Sequence, residues 1–188
     1  GFGVRITNPE DLILFTMGRR LEGILNLHGD KQRVSGQVQH VSRGSVGIQF
    51  SELEDTVKKA ISGFLDPSHL SRGLKRMPGA VDESLAWWSG ASGTEIMVWR
   101  PEASGEFERA LLLLWGGYVE WNKAGEISTG RWSHALEEPE MRGAIRLETL
   151  TFHPDQGGGS LPQMAVAKVF LLSSNLPEAL VQRLTQSL

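Results

Sequence analysis

From Arg33 to Phe50, small and apolar residues recur at every second position. Val34, Gly36 and Val38 form one row with His40 at its end, and a second run covers Ser45–Phe50. A period of two belongs to a strand with one buried face and one wetted face. The same residues wound into a helix would be spread around all its sides. Arg43-Gly44 sits between the two runs and reads as a hairpin turn. This segment therefore predicts an antiparallel pair, and its neighbours extend it. Leu21–Leu27 places Leu21, Gly23, Leu25 and Leu27 on one face, and His28-Gly29-Asp30 turns the chain into the next strand. Gly1–Ile6 is a further short strand, turned by Asn8-Pro9. Its apolar opening reads as the middle of a strand in a longer protein.

After these strands the period changes. Ser51-Glu52-Leu53-Glu54 fits a capping box, with a Ser oxygen for the third helical amide and a Glu reaching back. Leu53, Val57, Ala60, Ile61, Phe64 and Leu65 then fall on one helical face. Strands closed by one helix predict a small antiparallel barrel or sandwich over residues 1–66. Asp66-Pro67-Ser68-His69 and the basic stretch from Ser71 to Gly79 are polar and broken by Pro and Gly, which predicts a linker over 67–83.

Composition separates the two sides of that linker. Residues 67–188 hold all six tryptophans, and residues 1–66 hold none. In residues 84–188 the strand candidates are Glu95–Arg100, Ala110–Trp121, Glu126–Trp132, Ala144–Phe152 and Ala165–Leu172, with Asn122-Lys123-Ala124-Gly125 as a hairpin loop. A last helix is expected, capped by Ser174 or Asn175, with Pro177 in its first turn and Leu180, Val181 and Leu184 as its apolar stripe. The expected fold class is mostly β or α+β. A small antiparallel barrel with a closing helix is followed by an α+β domain with an antiparallel sheet and a terminal helix.

The order of the first-domain pieces resembles a known family. Val34-Ser35-Gly36-Gln37-Val38-Gln39-His40-Val41, then Val46-Gly47-Ile48-Gln49-Phe50-Ser51-Glu52-Leu53 and an amphipathic helix, resembles the closing strands and helix of the PilZ domain. Gly1-Phe2-Gly3-Val4 resembles the strand after that family's (D/N)xSxxG motif, with Gly1 near the motif's last glycine. The resemblance covers residues 1–66. It implies a small β-barrel that recognises cyclic di-GMP, a bacterial second messenger. The family's RxxxR motif supplies guanidinium groups, whose planar forks suit phosphate and the guanine O6/N7 edge and whose faces stack on bases. The chain departs from the pattern: RxxxR and most of (D/N)xSxxG would precede Gly1, Arg19-Arg20 is an adjacent pair in another place, and His40-Val41-Ser42-Arg43-Gly44-Ser45 only echoes the second motif.

The candidate ligand-binding residues are Gly1 and Gly3, which would let the backbone approach a ligand, and Arg5, Arg33 and Arg43, which would line a phosphate site. Solvated surface arginines and small strand residues are the competing readings. Arg72, Lys75 and Arg76 in the linker are placed to join the ligand's phosphates. Trp87 and Trp88 are the candidates for an exposed stacking platform, against core packing for the other tryptophans.

Several classes are disfavoured. With 19 Lys+Arg against 22 Asp+Glu the chain lacks the basic surface that a nucleic-acid polymer usually requires. No apolar run is long enough for a membrane span. No cysteine is present, so disulfides, zinc thiolates and thiol nucleophiles are excluded, which fits a reducing compartment and an expected cytoplasmic location. The histidines His28, His40, His69, His134 and His153 show no metal spacing. Ser89-Gly90-Ala91-Ser92-Gly93 is no nucleophile elbow, and Gln156-Gly157-Gly158-Gly159-Ser160 is no phosphate loop. The expectation is a regulatory protein rather than an enzyme, with cyclic di-GMP as ligand, no cofactor and no metal. The alternative is a ligand-independent interaction module, a homodimer or a binder of a protein partner.

Overall fold

The computed structural model describes residues 1–6, 8–27, 29–42, 45–78, 84–136, 148–156 and 159–188. The chain divides into two compact units, Gly1–Phe64 and Leu65–Leu188.

The first unit is a four-stranded antiparallel sheet. Its strands are β1 (Phe2–Arg5), β2 (Arg20–Leu27), β3 (Asp30–Val41) and β4 (Ser45–Phe50), in the order β1-β4-β3-β2. A short 3₁₀ helix, Pro9–Leu14, connects β1 to β2, and α1 (Asp55–Phe64) follows β4. The alternation around Val34–Phe50 sets the register: Val38 faces Ile48 and Val41 faces Val46, with a bulge between Val38 and His40. A bulge adds twist and bends the strand. The sheet curls around Val38, Val46 and Ile48, against which Phe2, Val4, Leu12, Phe15 and Leu21 pack. β1 and β2 are its two edges, so the sheet is curled and partly barrel-like.

The helix begins later than the capping box implies. The Ser51 amide donates to the Ser35 carbonyl at 2.9 Å, which extends the strand pairing, and the first helical bond runs from the Lys58 amide to the Glu54 carbonyl. The sheet takes the donor that a cap at Ser51 would have released to the helix.

The second unit is a seven-stranded antiparallel meander. Its strands are β5 (Lys75–Arg76), β6 (Leu85–Ser89), β7 (Glu95–Trp99), β8 (Arg109–Leu114), β9 (Gly117–Asn122), β10 (Ile127–Leu136) and β11 (Glu148–Pro154), each paired with its sequence neighbours. Three helices pack on one face: α2 (Pro67–Arg72), α3 (Leu161–Leu172) and α4 (Glu178–Thr185). Ile96, Val98, Ala110, Leu112 and Trp121 meet Leu70, Phe170, Leu171, Leu180 and Leu184 in that layer. On the opposite face Leu111, Leu113 and Tyr118 are buried with Met97, Trp99, Trp132, Leu150 and Phe152 around them. Tyr118 and Phe152 meet edge to face, 5.2 Å between centroids. β8 lies at the middle of the sheet and is buried on both sides, which explains its unbroken Leu run.

Four sequence expectations change here. The described part of the expected linker is folded: Asp66 caps α2 by accepting from the Ser68 and His69 amides, and Leu70 and Leu74 are buried in the core. Its Pro serves the first helical turn, where a missing amide costs nothing. Ala110–Trp121 is two strands, because Trp115-Gly116 turns the chain. Ala165–Leu172 is helix and not strand, started by Pro162 in its first turn. Finally, Ser174 and Asn175 do not cap α4; Ser174 Oγ donates to the Leu171 carbonyl, and Asn175 Nδ2 donates to the Leu74 carbonyl at 3.1 Å. The expected strand over 144–152 is described only from Glu148, and residues 144–147 lie outside the described residues.

Candidate functional site

In the first unit Phe2 pairs with Ile48 and Val4 with Val46, and all four serve the core. The intervening residues belong to the other face of the sheet. There Gly3 lies directly across from Gly47, and Gly47 across from His40 on β3. A Cβ at Gly3 would meet nothing within 4 Å, and one at Gly47 would reach His40 Cβ at 3.3 Å. Two glycines abreast leave the peptide planes of two strands bare. Gln37 and Gln49 pair across the neighbouring row, and with His40 and Ser45 they are exposed. The result is a strip of bare backbone rimmed by amide, imidazole and hydroxyl groups.

The five residues singled out from sequence divide as follows. Gly1 and Gly3 share β1's side of this strip, but a Cβ at Gly1 would sit 2.8 Å from the Ile48 carbonyl, so the sheet itself fills the space beside Gly1. Arg5 is in register with Ser45 at the end of the same row. Arg43 lies outside the described residues. Arg33 is not brought to the strip: it pairs with Ile24, roughly 20 Å along β3 from His40 at about 3.3 Å per residue. Its guanidinium is held instead by Glu22 at 3.3 Å, both side chains being exposed. Sequence reasoning missed Gly47, Gln37 and Gln49, although the glycine at the centre of Val46-Gly47-Ile48 was the signal for them.

The second unit holds a different kind of site. The β8–β9 hairpin turns on Trp115 and Gly116, with φ of 54° and 77°. Both values lie in the left-handed region, as in a type I′ turn, whose usual residues are Asn and Gly. Between this hairpin and the first turn of α3 is a pocket of about 160 Å³, lined by Leu112, Leu114, Val119, Pro162 and Val166, with Trp115 and Gln163 on its wall. Gln163 Nε2 donates to the Gly130 carbonyl at 3.1 Å, and its Oε1 is buried with no hydrogen-bond partner among the described residues. The α3 N-terminus is pinned beside it. The Ser160 amide donates to Thr129 Oγ1 at 2.7 Å, and that hydroxyl donates to Asp155 at 2.6 Å. Tyr118 also lines the pocket. Burial first, and then the Glu120 and Asp155 carboxylates, hold its phenol above the ordinary tyrosine range.

Core packing holds for Trp88, Trp121, Trp99 and Trp132, but the exposed tryptophan is not in the expected Trp87-Trp88 pair. Trp88 is buried in the helix-covered layer, with the Arg76 guanidinium 6.0 Å from its ring centre, and Trp87 is half-buried on the other face. Strand alternation does send the pair to opposite faces, but β5 and the helices cover one of them. The exposed tryptophan is Trp115, at 47%. Arg72, Lys75 and Arg76 are exposed at the end of α2 and along β5. His153 lies 3.3 Å from Ser133 Oγ, and the described residues contain no group of His, Asp and Glu arranged to hold a metal. No described helix is long and apolar enough to cross a membrane.

No protein-family model matches the chain, and neither curated proteins nor solved structures provide a match.

Proposed function

We propose that the chain is a PilZ-type regulatory protein whose first unit receives cyclic di-GMP and whose second unit passes the signal on. The observation that carries this reading is the bare strip at Gly3 and Gly47, set in the strands that resemble the family. A purine is flat, and two strands without side chains admit its face at van der Waals distance. Gln49 offers an amide donor and an acceptor to a guanine edge, while the Gln37 amide donates to the Gly18 carbonyl at 3.0 Å and accepts from Gln39 Nε2 at 3.4 Å, so it borders the strip as a fixed group. Arg5 and Arg43 are the groups assigned to phosphate, where a guanidinium donates two parallel hydrogen bonds.

Calorimetric titration of the chain with cyclic di-GMP tests the reading. A saturable heat signal is expected at tens of micromolar ligand, which corresponds to a binding free energy of about −6 to −7 kcal/mol. Gly47→Val is expected to weaken binding at least tenfold by filling the strip, and Arg33→Ala to leave it unchanged. Absence of heat from the unmodified chain at that concentration refutes the proposal.

A second reading rests on a separate observation. Ile13, Leu14, Met17 and Ile24 are 80%, 52%, 68% and 69% exposed, and Leu14 and Ile24 border an apolar groove of about 410 Å³. Exposed apolar groups gathered at a groove favour a ligand-independent interaction module, with a second copy of the chain as partner. Light scattering across a concentration series then shows a rising mass that is insensitive to the nucleotide and falls on Ile24→Lys.

A further inference from the structure

Among the described residues the two sheets present four edge strands, and three of them are blunted. β1 is four residues long, β5 is only Lys75-Arg76, and β11 ends on Pro154. Short length, charge and proline are ordinary ways to keep an edge from recruiting another strand. β2 uses none of them. It runs for eight residues, Arg20–Leu27, without Pro or Lys, in unbroken register with β3. Its free groups follow from the ladder. Arg19 and Val38 continue the register, and the Val38 amide donates to the Arg19 carbonyl at 3.0 Å. Hydrogen-bonded pairs alternate along an antiparallel ladder. Leu21, Gly23, Leu25 and Leu27 therefore turn their amides and carbonyls toward β3, and Glu22, Ile24 and Asn26 turn theirs outward. Ile24, at the centre, is 69% exposed.

Outward amides and carbonyls call for another strand, and the side chains of β2 say which one. Paired antiparallel with its own copy about Ile24, β2 complements itself. Ile24 meets Ile24, Glu22 faces the partner's Asn26, Leu21 faces the partner's Leu27, and Gly23 faces the partner's Leu25. A Cβ at Gly23 would meet nothing within 4 Å, and Leu21, Gly23 and Leu25 line the groove of about 410 Å³. The partner's Leu25 thus enters the space that Gly23 leaves open. Other registers fit worse. Centring on Glu22 sets two carboxylates against each other, and centring on Gly23 sets Glu22 against Ile24 and leaves two glycines abreast.

We propose that β2 is a dimerisation edge, along which two copies of the chain join their four-stranded sheets into one antiparallel sheet with its two-fold axis at Ile24. The proposal rests on the homodimer reading above and specifies its contact. An isologous pair of this kind closes at two copies.

The chain has no cysteine, so a single introduced thiol reports the register. Paired Cα atoms at a hydrogen-bonded position lie about 5.5 Å apart, within the span of a disulfide. Under mild oxidation of the full chain, Ile24→Cys is expected to give a covalent dimer on a non-reducing gel at least tenfold faster than Glu22→Cys or Asn26→Cys alone. An equal mixture of the last two is expected to cross-link at the faster rate. Gly23→Leu fills the space reserved for the partner's Leu25, and is expected to keep the circular dichroism of the unmodified chain and to weaken dimerisation at least tenfold in light scattering. A mass that rises to two copies without preferential cross-linking of Ile24→Cys overturns the edge pairing and leaves the homodimer reading standing. A mass that stays at one copy overturns both. A mass that climbs past two overturns the two-fold register.

Discussion

Three consecutive residues in α3 test how the second unit is built. Phe170 and Leu171 are 0% exposed, while Leu172 is 64% exposed. A helix of 3.6 residues per turn can bury two neighbours and expose the third, whereas a strand places Phe170 and Leu172 on the same face, so the two would be buried or exposed together. Replacing Phe170 by Ala removes about 2 kcal/mol of transfer free energy. A residual cavity approaching 100 Å³ adds about 2 kcal/mol more, so the expected loss is about 4 kcal/mol. Leu171→Ala is expected to cost about 3 kcal/mol, and Leu172→Ala no more than about 0.5 kcal/mol. Urea unfolding followed by tryptophan fluorescence is the assay. All six tryptophans lie in the second unit, so the signal reports on that unit. With a slope of about 2 kcal/mol per molar urea, the midpoint falls by about 2 M, about 1.5 M and less than about 0.3 M for the three variants in turn. A large loss for Leu172→Ala with a small one for Leu171→Ala would refute the helix and restore the strand that the apolar run suggests.

Other outcomes follow from single residues. Tyr118 is the only tyrosine, so absorbance titration reads it alone; its midpoint is expected above the value of about 10 found after denaturation. The folded state then holds the phenol proton longer than the unfolded state. The stabilisation is therefore complete below about pH 10 and is lost as pH rises through the folded pKa, and a native midpoint at or below 10 contradicts it. Gly130→Ala would press a Cβ against the His153 carbonyl, 2.7 Å from Tyr118 Cε1 and 2.8 Å from Pro154 Cα, with an expected loss of about 1–3 kcal/mol in the fluorescence-detected transition. Trp115→Asn is expected to raise stability by about 1 kcal/mol in the same urea transition, because Asn tolerates the left-handed turn that Trp resists.

Much of the first unit was legible in its residues. The alternation through Val34, Val38, Val46 and Ile48 gave both strands and their buried face, because each strand has one wetted side and the contrast is written into the chain. The candidate site was only half legible. Gly3 and Gly47 are far apart in sequence, and nothing local states that they lie abreast. Arg33 carries the right chemistry but sits at the far end of β3, where Glu22 engages it.

In the second unit local information weakens as burial becomes complete. The Leu run of β8 and the apolar run of α3 carry no period, because β8 is covered on both faces and most sides of α3 are apolar, so composition could not separate helix from strand. Polar residues and prolines around Pro67 read as a linker until Leu70 and Leu74 found a core to enter. The sequence by itself determined the class, an antiparallel β-rich chain with closing helices, since period and turn residues act over a few positions. Tertiary structure decided which glycines meet, which tryptophan stays in water and where Gln163 leaves an acceptor unpaired, since each depends on residues that only folding brings into contact.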